Sequence, residues 1–229
     1  MFRESYVEQF SSLGVELREE DGSSIAEIER AEERLQFVIP QSLREFYLVA
    51  GCESRLNQFH NRLLAPSEWV IDRGYLSFME ENQWVVYWGV SVDRDVERDP
   101  EVFQGVNRRE DGIEWLPEHE SCCEFLNTML VWNASYGGAA ASSTFGYGDE
   151  FEIRQWLDQH CQLIGEVNEM RAYRHRYGSM SFLKANDLIT KMRKVSPWRV
   201  YAAATSSSNL KLLQSSLDVK WEESPGENH

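Results

Sequence analysis

The chain has 229 residues, of which 42% are hydrophobic, 12% aromatic and 27% charged, so it has material for a packed core and is not a disordered polymer. Twenty-three basic against 38 acidic residues leave −15, a surface that repels phosphate backbones and argues against general nucleic-acid binding. No run approaches the ~18 apolar residues of a membrane helix, and Arg3, Glu4 and Glu8 interrupt any apolar leader at the start. The expected setting is therefore cytoplasmic, with no membrane partner.

The charge is uneven: residues 1–150 hold 12 Arg, no Lys and 29 acids (−17), and residues 151–229 hold 11 basic residues and 9 acids (+2). To Gly22 the chain is polar and weakly patterned. Ser24 and Glu27 then form a capping box, and Ile25, Ile28, Ala31 and Leu35 trace one helix face. Ser42 with Glu45 repeats the box ahead of Leu43, Phe46, Tyr47 and Ala50, and Gly51 is placed to end that helix left-handed.

Short runs rich in β-branched and aromatic residues follow: Leu63–Ala65, Tyr75–Met79, Val85–Val90 and Val102–Val106, with turns at Arg73-Gly74 and Glu80–Gln83. Such brief loops imply antiparallel pairing, because a parallel crossover needs a dozen or more residues. Trp84 and Trp88, four apart on one expected strand, should share a face, and core is the plainer assignment for it than a binding surface.

A third box, Ser121 with Glu124, opens a helix with Phe125, Leu126, Met129, Leu130 and Asn133 on one side, stopped by Gly137-Gly138. Ala139–Gly148 reads as a flexible loop or linker. Asp149 with Glu152 opens a helix to about Cys161. The tail then reads strand, helix, strand, helix, strand: Val167–Arg174, Ala185–Arg193, Trp198–Ala204, Asn209–Ser215 and Leu217–Trp221. The expected organisation is a domain over 1–161 and a small α/β extension over 162–229 packed on it.

Catalytic signatures are missing. There is no G-x-S-x-G nucleophile elbow and no glycine-rich loop ending in Gly-Lys-Ser/Thr. Cys52, Cys122, Cys123 and Cys161 form no C-x-x-C pair, and no two of the five histidines have metal-ligand spacing. Reduced, buried thiols and no metal, cofactor or catalytic residue are expected. Glu80-Glu81 fits a hairpin turn better than an acid/base pair.

Asp93, Asp95, Glu97 and Asp99 alternate like calcium ligands, but Arg98 and Gln104 stand where a calcium loop needs Gly and Glu. A solvated loop is the plain alternative, and a surface for a basic protein partner is the functional one. Glu110, Asp111 and Glu114 extend the same candidate surface, and these seven carboxylates are the candidate partner-binding residues.

The order Ile25-x-x-Ile28-Glu29-x-Ala31-Glu32-x-x-Leu35, Ile39-Pro40-x-Ser42-Leu43-x-x-Phe46-Tyr47 and Ala50-Gly51 resembles the start of the SUKH superfamily, the cell-wall-regulator homology domain also found in bacterial immunity proteins. Later pieces agree: Gly74-Tyr75-Leu76-Ser77-Phe78, Trp88-Gly89-Val90, Asp99-Pro100-Glu101-Val102 and Phe125-Leu126-x-x-Met129-Leu130. The similarity covers about residues 25–135. It departs from the family at Gln36, where Gly is common, and at Glu101, where a second Pro is common.

The resemblance implies an α+β fold, helices packed around a mainly antiparallel sheet, without catalytic residues. It also implies an immunity protein that neutralises a cognate toxin, often a nuclease, whose basic cleft an acidic surface would complement. The alternative is an intracellular scaffold or regulatory protein-interaction module.

Overall fold

The structure, a computed structural model, describes residues 1–93, 97–108, 112–184 and 196–222. It is α+β, built from two compact units, 1–127 and 128–229, each with its own six-stranded antiparallel sheet. The expected boundary at 161 falls inside the second unit. The reason is the strand Ser142–Tyr147, which pairs with Trp198–Ala204 and Lys220–Glu222 and so belongs to the tail's sheet rather than to a linker.

The first unit opens with α1 (Phe2–Ser12) and continues through α2 (Ile25–Leu35), α3 (Gln41–Ala50) and the short α4 (Ser54–Asn57). α1 escapes the sequence pattern because only Tyr6, Gln9 and Phe10 bury, a stripe too sparse to show a helical period. It is real because Tyr6 packs edge-on to Phe46 at 5.0 Å and donates from its hydroxyl to Ser42 O at 3.1 Å. α2 carries the expected box, with Glu27 N–H donating to Ser24 Oγ and Ser24 N–H to Glu27. Its left-handed end is Gln36 (φ 53°).

α3 departs from expectation at both ends. Ser42 is buried within the helix and Pro40 holds the N-cap position. Gly51 is right-handed (φ −62°). Glycine is required there for room, since a Cβ would collide with Ser23 Oγ and lie 2.7 Å from Tyr47 O.

The sheet of this unit comprises β1 (Asn61–Leu63), β2 (Val70–Asp72), β3 (Tyr75–Glu81), β4 (Val86–Ser91), β5 (Val102–Asn107) and β6 (Ile113–His119). Its order is β1-β3-β4-β5-β6, with β2 also on β3. β2 and β6 were not foreseen. The burial along β6 shows why, because it is an exposed edge strand without clean alternation.

Phe78, Trp88 and Phe125 cluster on one face, with Phe125 centred 6.1 and 6.0 Å from the other two rings. Beneath α3, Trp69 Nε1 donates to the Tyr47 hydroxyl at 2.9 Å, which in turn donates to Leu64 O at 2.6 Å. Both of these large polar-tipped rings are fully buried, so these bonds remove the desolvation penalty they would otherwise carry. Burial pushes the Tyr47 hydroxyl well above its ordinary pKa.

Trp84 corrects the sequence reading. It sits in the turn before β4, left-handed (φ 57°) and 63% exposed, while Trp88 on the strand is 2% exposed. The two rings therefore do not share a face.

The chain divides between Asn127 and Thr128, inside α5 (Cys122–Ser135). The expected stripe Phe125, Leu126, Met129, Leu130 and Asn133 is buried, but so are Cys122, Cys123, Thr128, Val131, Ala134 and Ser135. α5 is a helix enclosed nearly all round rather than an amphipathic one.

The second unit adds β7 (Ser142–Tyr147), α6 (Glu150–His160), β8 (Gln162–Val167), β9 (Met170–His175), β10 (Gly178–Lys184), β11 (Trp198–Ala204), α7 (Ser207–Ser216) and β12 (Lys220–Glu222). The sheet order is β12-β7-β11-β10-β9-β8 and every pairing is antiparallel. The expected α/β extension is thus the larger part of an antiparallel sheet. Val167–Arg174, read as one strand, takes in the end of β8, the hairpin turn with Asn168 left-handed (φ 52°) and then β9 nearly whole. The helix expected over Ala185–Arg193 lies outside the described residues.

α6 and α7 cover one face through Ile153, Leu157, Leu210 and Leu213 against Tyr173, Met180, Phe182, Val200 and Ala202. Side chains alternate across a strand, so Ser181 and Tyr201 take the other face. There Ser135 Oγ lies 2.7 Å from Ser181 Oγ, and Tyr136 stacks on Tyr201 at 4.1 Å.

Candidate protein-binding face

The seven carboxylates nominated by sequence fall on the β4–β5 and β5–β6 connections and the start of β6. Asp95, Glu110 and Asp111 lie outside the described residues. Asp93 and Glu97 are exposed. Glu114 is half-exposed and pairs at 2.8 Å with Arg108 across its own loop. Asp99 is different. Its two oxygens accept from Ser121 Oγ at 2.6 Å and from Cys123 N–H at 2.8 Å, while Glu124 N–H donates to Ser121 Oγ. Asp99 therefore satisfies orphan donors at the start of α5, a structural task for that carboxylate.

The two connections approach one place, the Arg73-Gly74 turn between β2 and β3. Both residues are left-handed, with φ 49° and 83°, as a tight hairpin turn demands. A Cβ on Gly74 would lie 2.5 Å from Asp93 Oδ2, and one on Gly112 (φ 79°) would lie 2.5 Å from Arg73 Nη2. Asp93 thus packs on one side of the turn, while the Arg73 side chain reaches the residue that follows Glu110 and Asp111.

Beside that turn, rings from two non-adjacent strands meet over the sheet. β3 and β6 stand three strands apart, roughly 14 Å in a flat sheet, yet Tyr75 of β3 stacks on Trp115 of β6 at 4.9 Å and 19°. Tyr75 also meets Phe103 at 4.8 Å. The Trp115 ring lies over Gly89 and Gly105, where a Cβ would stand 3.0 Å from its six-membered ring.

The result is an aromatic face on which Tyr75 and Trp115 are partly exposed and Phe103 is buried. One rim carries Asp93 and Arg73, and Glu114 with Arg108 stand beside it. Ring faces with nearby carboxylates attract guanidinium and ammonium groups.

Tyr75, Trp115 and Arg73 were missed as candidates. The available signal was the pair of glycines inside neighbouring strands, Gly89 and Gly105, which marks a close approach by something large. Near the opposite end of β3, Glu80 is buried and is not part of a turn. Arg62 donates to it through Nε and Nη2 at 2.9 and 2.6 Å, and Trp84 Nε1 at 3.1 Å.

The cysteines are free. Cys122 and Cys123 are buried, Cys161 is half-buried and, against expectation, Cys52 is exposed. Burial pushes the Cys161 thiol up to about 12, which suits a packed, unreactive sulfur. Among the described residues no group of three or more His, Cys, Asp or Glu is placed to hold a metal ion, and no helix is long and apolar enough to cross a membrane.

Comparison with protein-family models, with curated proteins and with solved structures finds no match to this chain.

Proposed function

We propose that this chain is an immunity-type protein that binds a basic toxin domain, with a nuclease as the fitting class, and neutralises it by occupation rather than by catalysis. One observation carries this reading. The first unit concentrates the negative charge of the chain, and Asp93 and Gly112, from its two acidic connections, flank one turn beside the partly exposed rings of Tyr75 and Trp115. A nuclease must present a basic cleft to phosphates, so such a face offers it both steering charge and ring surface for its arginines and lysines.

The resemblance over residues 25–135 supports the same reading. One of its departures fits as well: Gln36 adopts the left-handed backbone that a glycine at that position would favour.

The test is co-expression with the product of the neighbouring gene. Restored growth together with a stoichiometric complex of the two purified proteins is the expected result. A neighbouring product that is not toxic, or a toxic one that this chain neither binds nor silences, would overturn the proposal in favour of a scaffold or regulatory module.

A further inference from the structure

Apart from the acidic connections, the first unit holds a cleft of about 480 Å³ between α2, the Gly51-Cys52 turn and the Ala65–Ser67 segment. α2 supplies Arg30 and Arg34, one turn apart and so on the same side of the helix. Each is anchored through part of its guanidinium. Arg30 Nε donates to Ala26 O at 3.0 Å, and Arg34 Nη2 donates to Pro66 O at 3.1 Å and Trp69 O at 3.0 Å.

Neither makes an ion pair among the described residues. Arg18, Arg44, Arg55, Arg62 and Arg108 of the same unit all do. Glu27 acts on Arg30 by charge, so what sets this pair apart is its position, two guanidiniums one turn apart on one wall of the cleft.

Glu27 lines the same cleft but is folded back onto the helix start. It accepts from Ser24 N–H at 2.9 Å and Ser24 Oγ at 2.8 Å, contacts that hold its pKa below the ordinary value. Ser23, Ser67 and the exposed Cys52 complete the wall.

We propose that this cleft is a binding site for a small oxyanion-bearing molecule, whose carboxylate or phosphate group sits on Arg30 and Arg34. Guanidiniums bind both groups through paired N–H donors. Their anchoring on backbone carbonyls reduces the ordering cost of binding, and the volume falls in the ~300–1,000 Å³ range of small-molecule sites. An anion shared between the two also offsets their mutual repulsion. The inference does not depend on the toxin-binding reading, since it uses a different surface.

Cys52 serves as a built-in reporter. Iodoacetate and iodoacetamide deliver the same electrophilic carbon to a thiolate and differ by one negative charge. The ratio of their rates at Cys52, followed in the full chain by peptide mass spectrometry, therefore cancels any effect of the arginines on thiol ionisation. The expected iodoacetate-to-iodoacetamide ratio exceeds that of free cysteine by about threefold or more.

That excess should vanish in Arg30→Gln/Arg34→Gln. Arg34→Gln also removes two carbonyl contacts, so Arg30→Gln alone, checked for native circular dichroism, must lower the ratio too. Millimolar inorganic phosphate or citrate should slow both reagents in the native chain, and the better protector identifies the tetrahedral or planar oxyanion. A ratio equal to that of free cysteine, a ratio unchanged in both variants, or no protection by either anion would overturn the site.

Discussion

The two units solve the same architectural problem with different charge. Each closes a six-stranded antiparallel sheet against helices. Residues 1–127 carry 12 Arg, no Lys and 27 acids, a net of −15, whereas residues 128–229 carry 11 basic and 11 acidic residues and are neutral. A fold of this kind therefore needs no surplus of charge. The surplus costs self-repulsion.

The interiors are built alike: each buries a polar-tipped ring that must be bonded, Tyr47 with Trp69 in the first unit and Tyr173, donating to Asp158, in the second.

The largest expected effect tests whether the units are separate in energy as they are in contacts. Phe46 is fully buried against Tyr6 and Phe10, and Phe182 is 1% exposed in the other core. Each should cost about 3–5 kcal/mol on truncation to Ala. In a denaturant titration followed by a probe in each unit, Phe46→Ala should shift only the first unit's transition and Phe182→Ala only the second's. Coincident shifts in both variants would show that the shared helix α5 makes the chain one cooperative body.

The next effect separates the units by acid. Burial lowers the pKa of His60, in the first unit, from 6.5 to about 4. Between those pH values the unfolded chain binds this proton and the folded chain does not. Stability should therefore fall as pH drops from 6.5 toward 4, by up to about 3 kcal/mol at the lower end. His60→Gln should flatten that part of the first unit's pH profile and leave the second's unchanged. An identical slope in the variant would assign the acid sensitivity elsewhere.

A smaller effect sharpens the contrast in the sheets. A Cβ at Gly105 would stand 2.7 Å from Ile113 Cγ2 and 3.0 Å from the Trp115 ring. Gly105→Val should cost about 1–3 kcal/mol by overpacking and displace Trp115 from Tyr75. Under the proposed function, loss of partner binding with the fold retained is the expected outcome, and unaltered binding would remove the aromatic face from the site.

What was legible in the sequence follows physical lines. α2, β3, β4, β5, α6 and β11 were placed nearly to their ends, because caps and β-branched runs are local signals. Elements whose reason lies elsewhere in the chain were not. β7 is the small-residue run Ser142–Tyr147, a strand only because β11 and β12 pair with it. α1 depends on two rings meeting Phe46. The acidic connections were visible as composition, but the approach of Asp93 and Gly112 to one turn is a tertiary contact with no local signal. Asp99 shows the converse, since in the charge pattern it cannot be told from its neighbours, although its oxygens cap a helix 22 residues later.

That distinction sets the smallest and most discriminating prediction. If the β4–β5 connection steers a basic partner, its exposed acids should act on association and Asp99 on stability. Asp93→Asn/Asp95→Asn/Glu97→Gln removes three charges from this connection, of which Asp93 and Glu97 are exposed. It should slow association about threefold to tenfold at low salt and flatten its salt dependence, with dissociation nearly unchanged, as charges at an interface rim do. Their field reaches about a Debye length, ~8 Å at physiological salt, so the loss should fade as salt is raised. Asp99→Asn keeps one acceptor oxygen and loses the charge beside the first turn of α5. It should lower stability by about 1 kcal/mol and leave the salt dependence of association as it was. Stopped-flow association against ionic strength, paired with denaturant titration, separates the two. Equal kinetic effects from both variants would make Asp99 a contact residue as well as a cap. A triple variant with native rates at low salt would leave the aromatic face as the part of this unit that meets the partner.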